Sequence, residues 1–289
     1  MSTLLLFFDG VGIAPPDDRV NPVSQYINRP FPVSEIEYDF HGGVLCPTDA
    51  TLGLPGLPQS ATGQATILTG QNAAKVAGRH VNAFPTTALR QLISERSLLK
   101  YIKDRGGRPV FANAYHAGYF GRRHSRFSVS TWSWLAAGID YHNLNDLHRG
   151  TAVSHDLTNR FMNRFGFGVP VRRSMQSGRI LASLLGKHDF VFFEYILTDV
   201  IGHRQDISAA HFRLAQIKEM MIALLLEIDL QRHTIVLVSD HGNLEDLSTN
   251  THNRNKVPTI IWGKHSHTLA KSVKSLTDIM PVVLKSIFG

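Results

Sequence analysis

The sequence predicts an α/β fold built on a mostly parallel sheet with helices on both faces. Three observations carry this expectation. Apolar runs at residues 4–8, 190–197 and 234–238 are short and continuous, as in strands buried on both sides. Segments with helical periodicity separate them, and parallel strands need such crossover connections. Each run then leads, directly or after one intervening residue, into an aspartate: Asp9, Asp199 and Asp240. In open parallel sheets, ligands bind outside the carboxyl ends of the strands.

Taken in order, residues 1–9 form the first strand, and 10–50, rich in Pro, Asp, Asn and Gly, read as loop. Leu54-Pro55-Gly56-Leu57-Pro58-Gln59 turns the chain toward Ser60. Ser60 fits an N-cap, since 61–68 is helix-compatible and Gly70 falls where a C-terminal glycine cap belongs. Its hydroxyl then sits at the positive end of a helix, where anions are favoured. Residues 86–104 suggest one helix and 109–112 a short strand; 115–170 are less regular and include Thr131-Trp132-Ser133-Trp134-Leu135. Residues 177–186 form a helix. Phe212, Leu214, Ile217, Met220, Met221, Leu224, Leu225 and Ile228 recur at three- and four-residue spacings, an amphipathic helix whose Met and Leu stripe is core packing. A strand at 259–262 and a closing helix at 275–288 complete the chain.

With 289 residues there is room for one large domain or a core with an insert. An apolar fraction of 43% with 18% charged residues excludes disorder. No stretch is apolar for long enough to span a membrane. Residues 2–8 lack a preceding basic region and run into Asp9-Gly10 rather than a cleavage site, so they are expected to be a buried strand, not a signal peptide. The lone Cys46 excludes an internal disulfide framework and a Cys-rich zinc site, and a soluble cytoplasmic protein is expected. The formal charge is +7, with Arg and Lys concentrated between 95 and 126 and including Arg122-Arg123-His124-Ser125-Arg126. That cluster is either a solvated face or a site for a phosphate-rich partner. No helix-turn-helix, zinc finger or RNA-binding signature is present, so a small phosphorylated metabolite is expected rather than nucleic acid.

The chemistry lies at the strand ends. Asp240-His241 follows the run at 234–238, Asp199 is followed four residues on by His203, and His252 stands in a Thr-His-Asn loop. Singly, each has a structural explanation: Asp9 as a turn cap, His203 as a helix-start partner of Asp199, His252 as a surface histidine, Ser60 as a helix cap. Together, three carboxylates and three imidazoles on three strand ends and one loop suit a pair of divalent ions.

The ordered set resembles the alkaline phosphatase superfamily, in particular its branch of cofactor-independent phosphoglycerate mutases and phosphopentomutases. Asp9-Gly10-Val11-Gly12 resembles the first ligand motif, Ser60-Ala61-Thr62-Gly63-Gln64 the nucleophile motif, and Asp199-Val200-Ile201-Gly202-His203 the Asp-x-x-Gly-His motif. Asp240-His241-Gly242-Asn243 with Thr251-His252-Asn253 and Val257-Pro258 resembles the C-terminal signature. The resemblance implies an alkaline-phosphatase-like core at 1–78 and 173–289 and a small inserted cap at 79–172. It implies one metal ion held by Asp199, His203 and His252 and another by Asp9, Asp240 and His241 with Ser60 at or near it, either manganese or zinc. It further implies phosphoryl transfer on a small phosphorylated metabolite through phosphoserine at Ser60, as a phosphomutase or phosphomonoester hydrolase. Thr62 competes as nucleophile, although the register of Gly63 favours Ser60. Gln64 departs from the family, which commonly has His there; it can bond a phosphate but carries no proton at neutral pH. Arg122, Arg123 and Arg126 are candidates to grip the distal end of the substrate, because guanidinium forks match phosphate or carboxylate. The alternatives are a phosphodiesterase of the same superfamily and a non-catalytic phosphate-ligand-binding protein that keeps the fold. Oligomeric state is not legible.

Overall fold

The computed structural model describes residues 1–26, 29–121 and 123–289. Six strands form one sheet in the order β2-β6-β5-β1-β4-β3. They are β1 (Ser2–Phe8), β2 (Val44–Thr48), β3 (Pro109–Phe111), β4 (Phe190–Tyr195), β5 (His233–Val238) and β6 (Val257–Trp262). The pairs β5/β1, β1/β4 and β4/β3 are parallel, whereas β6 runs antiparallel to both β5 and β2. The sheet is therefore mixed, with a parallel centre as expected and an antiparallel flank.

The helices are α1 (Ser60–Thr69), α2 (Ala73–Ala77), α3 (Thr87–Arg96), α4 (Leu98–Asp104), α5 (Val129–Ala137), α6 (Leu144–Arg149), α7 (Arg160–Asn163), α8 (Ser174–Leu185), α9 (Leu197–Arg204), α10 (Ile207–Glu227), α11 (Ser266–Ala270) and α12 (Ile279–Phe288). Alternation along β1 divides the core in two. Leu5 and Phe7 join one apolar cluster with residues of α1, α3, α4 and α12, while Leu4, Leu6 and Phe8 join a second with α8 and α10. Because both faces of β1 are covered, its sequence is apolar at every position from Leu4 to Phe8, not at alternate ones.

Several local expectations change. The stretch 10–50 contains β2, an edge strand bearing Pro47, which is tolerated there because one edge needs no donor. The helix expected at 86–104 is two, α3 and α4. Ser97 has extended backbone between them, and its side chain accepts from Lys100 N–H as the N-cap of α4. The Trp-containing segment at 131–135 lies within α5, capped by Ser128. On α10 the expected stripe from Leu214 to Leu225 is buried, while Phe212 is 56% exposed and Ile228, the C-cap residue, is partly buried. Residues 109–111, within the stretch read as cap, complete the edge of the sheet as β3.

Candidate metal centre

β1 lies between β4 and β5, so the carboxyl ends of these three strands stand side by side, about 4.8 Å apart. Asp9 follows β1 directly, Asp199 lies in the first turn of α9 just after β4, and Asp240 is two residues beyond β5. Neighbouring glycines permit the approach. Gly10 has φ +68°, and a Cβ there would lie 2.7 Å from Asp199 Oδ1. A Cβ at Gly63 would lie 2.7 Å from the Asp240 Cβ, so α1 can pack its first turn against Asp240 only with glycine at that position.

One group consists of Asp9, Asp240 and His241, all buried, with donor atoms near enough to share one ion. His241 Nε2 is 3.2 Å from Asp9 Oδ1 and 3.6 Å from Asp240 Oδ2. A second group joins Asp199, His252 and His241. His203 faces the same point, its Nε2 lying 3.3 Å from Asp199 Oδ2 and 3.1 Å from His252 Nε2. His241 and His252 stack with ring centroids 3.7 Å apart, so the two groups are contiguous.

These donors fit divalent cations on their own chemistry. His252 Nδ1 lies 3.0 Å from Pro58 O, and His203 Nδ1 lies 2.7 Å from Asn250 O. A carbonyl only accepts, so each Nδ1 carries a hydrogen and each ring turns its Nε2 inward. The two Nε2 atoms lie 3.1 Å apart and within 3.4 Å of the Asp199 carboxylate, so one cation could be shared among the three side chains. Asp9 Oδ1 and Asp240 Oδ2 are likewise buried without a hydrogen bond. Burial and the neighbouring Asp240 charge push the Asp9 carboxyl up to about 8, and burial also raises Asp240. His241 is raised although burial opposes its charge, because Asp240 and Asp9 surround it with negative charge. Burial works against ionisation of Asp199 too, yet the hydrogen bond from His252, the charge of His241 and the Asn243 amide hold it down at about 2. The cluster thus binds positive charge in place of protons.

Ser60 is the first residue of α1, and the N-cap is Gln59, one residue earlier than expected. Freed from capping, the Ser60 hydroxyl lies 3.0 Å from His241 Nε2. Thr62 is turned away: its hydroxyl donates to Gln59 O and accepts from Val81 N–H. The Val81 carbonyl accepts from the Ala61 and Thr62 amides, so those two donors of the helix terminus are already engaged. Gln64 Nε2 lies 3.4 Å from Asp9 Oδ2, placing its amide at the edge of the first group. Arg126 lines a cavity beside the centre, Arg123 is exposed, and Arg122 lies outside the described residues.

Three polar residues that received no role from the sequence support the site. Glu245, two residues past Asn243, is buried and accepts from Gly12 N–H, Asn243 N–H, and the side-chain amides of Asn253 and Asn255 at 2.7–3.0 Å. It ties together the loops that carry Asp9, His241 and His252. Asn243 donates to Asp199 Oδ1 at 2.7 Å. Glu194, at the end of β4, accepts from Ser130 Oγ at 2.8 Å, and burial pushes its carboxyl up to about 7. Its place inside an apolar strand was the available signal.

The fold has an alkaline-phosphatase-like core, and its strand ends bring together side chains that could hold metal ions. Residues 170–288 match the Metalloenzyme superfamily model. Two solved structures share the fold: a cold-active alkaline phosphatase from a psychrophilic Shewanella species (TM-score 0.58, 11% identity, 100% of each chain covered) and the alkaline phosphatase of the Antarctic bacterium TAB5 (TM-score 0.54, 12% identity, 99% of this chain and 98% of that one). Among curated proteins, the 2,3-bisphosphoglycerate-independent phosphoglycerate mutase of Moorella thermoacetica is 26% identical over 106 residues, 35% of this chain. The match spans only 21% of that mutase. The resemblance carried by the motifs is borne out. Among the described residues, no helix is long and apolar enough to cross a membrane.

Proposed function

We propose that this chain transfers a phosphoryl group on a small phosphorylated metabolite through a phosphoserine at Ser60. The observation that carries the reading is the Ser60 hydroxyl, 3.0 Å from His241 Nε2 at the junction of the two ligand groups. Asp9, Asp240 and His241 would hold one divalent ion, manganese or zinc, and Asp199, His203 and His252 the other. Bound there, such ions neutralise phosphoryl oxygens and favour the alkoxide form of a serine.

The remaining work falls to the chain itself. Val81 engages Thr62 and leaves Ser60 as the hydroxyl directed at the centre. The Gln64 amide supplies a neutral donor to a phosphoryl oxygen but no proton. The region expected as an inserted cap, 79–172, supplies Arg126, which lines the cavity, and Arg123, which is exposed. Cleavage of phosphoserine by water gives a phosphatase; attack by a second substrate hydroxyl gives a mutase.

Phosphorus NMR of manganese-loaded protein with sugar phosphates and phosphoglycerates tests this reading, with Ser60→Ala as control. Release or migration of phosphate, lost in Ser60→Ala, is expected. Equal turnover by the variant would remove Ser60 from the chemistry.

A further inference from the structure

A cavity of about 350 Å³ opens beside the metal centre. Glu194 and Ile196, on its inner side, belong to the chain between β4 and Asp199. Phe84 closes another side, three residues beyond Val81, whose carbonyl holds the start of α1 at Ser60. A phosphate ester seated at Ser60 can therefore extend its alcohol portion into this space.

Resting on the phosphoryl-transfer reading, we propose that the cavity is a subsite for a planar heterocycle and that the substrate is a nucleobase-bearing phosphate monoester. Aromatic side chains contribute much of its lining, including Tyr115, Phe161 and Phe165 with Phe84. Such rings offer faces for stacking, which is insensitive to the identity of the base. Phe161 and Phe165 lie 5.2 Å apart, and Phe161 meets the His155 ring edge-to-face at 4.4 Å. Polar side chains stand among these rings: Asn113, Ser128 and His155 border the space as orienting groups, with Arg126 and Glu194 as charged ends. Burial keeps the His155 imidazole below its ordinary range, so at neutral pH it offers one donor and one acceptor, which matches the edge of a base.

Adenosine 5′-monophosphate and ribose 5-phosphate share the same leaving alkoxide, so their comparison isolates the base. With manganese-loaded protein, kcat/KM is expected to be about tenfold or more higher for the nucleotide. Phe165→Ala, which truncates a side chain 61% exposed and so spares the core, is expected to lower that ratio about fivefold or more. Adenosine alone, in equilibrium dialysis with metal-free protein, should bind and lose affinity in the same variant. Equal kcat/KM for the two esters overturns the subsite while leaving phosphoryl transfer intact. If neither ester reacts, the dialysis decides: adenosine binding that Phe165→Ala weakens sustains the ring site, and no binding overturns it. Failure of the underlying reading is separately visible as absence of Ser60 phosphorylation from every donor.

Discussion

Ser60 and Thr62 stand two residues apart in the same turn, and only their surroundings separate them. Position in the motif favours Ser60, and the structure supplies the physical reason, since Thr62 is consumed by Gln59 and Val81 while Ser60 faces His241. Asp9, Asp199, Asp240 and His241 were legible as candidate ligands because each follows a strand that ends at the same edge. Glu194 was not, because a carboxylate inside an apolar strand carries no motif. Its carboxyl, raised from 4.5 to about 7 by burial, is protonated in the folded chain over a range where the unfolded chain releases its proton. Its contribution to stability is therefore lost as pH rises from 4.5 to about 7, and above that the folded protein carries a buried charge. Glu194→Gln keeps an acceptor for Ser130 and removes the charge. Thermal unfolding of metal-free protein should show Glu194→Gln more stable than the wild type at pH 8, by about 1–3 kcal/mol, with the difference vanishing near pH 4. Equal stability at both pH values would contradict the assignment.

At the scale of elements, helices and strands were readable from periodicity, but their interruptions depend on single side chains. Ser97 splits one expected helix by capping the next, and Pro47 hides β2 because edge strands tolerate a residue the interior would reject. Loops are the least legible, since their shape rests on long-range hydrogen bonds. Glu245 is the plainest case, bonded to Gly12 from across the fold. Glu245→Ala leaves two buried backbone donors and two half-buried side-chain amides without an acceptor and should destabilise the protein by several kcal/mol in urea titration, at about 1–3 kcal/mol for each buried unsatisfied group. It should also weaken manganese binding in equilibrium dialysis, because the loops bearing Asp9, His241 and His252 lose their common tie. Unchanged metal affinity would make Glu245 purely architectural.

A second knot lies at Asp156, which accepts from the Ser154 and Thr158 hydroxyls and the Asn159 and Phe161 amides. Burial opposes its ionisation, but those donors outweigh it and lower its carboxyl below 3.8. The resulting stability is present above 3.8 and is lost as pH falls through the lowered folded value. Asp156→Asn should cost about 1–3 kcal/mol at pH 7 and progressively less below pH 3.8. A penalty that did not shrink in acid would show that shape, not charge, matters there.

For the whole molecule, the sequence implied a parallel sheet because its three most apolar runs are the three central strands. The antiparallel flank was not legible, since a strand's direction depends on its partner and not on its own residues. The sheet explains why residues as distant as Asp9 and His252 meet: β1, β4 and β5 point one way, and the loops after them share one edge. The central claim is that this edge arms Ser60 for phosphoryl transfer. Intact-mass measurement of manganese-loaded protein, exposed to phosphorylated donors and quenched in acid, tests it most directly. The account predicts a single added phosphoryl mass that maps to Ser60, absent in Ser60→Ala and absent when metal is removed. A phosphoryl adduct that persists in Ser60→Ala, or that forms equally without metal, would contradict it.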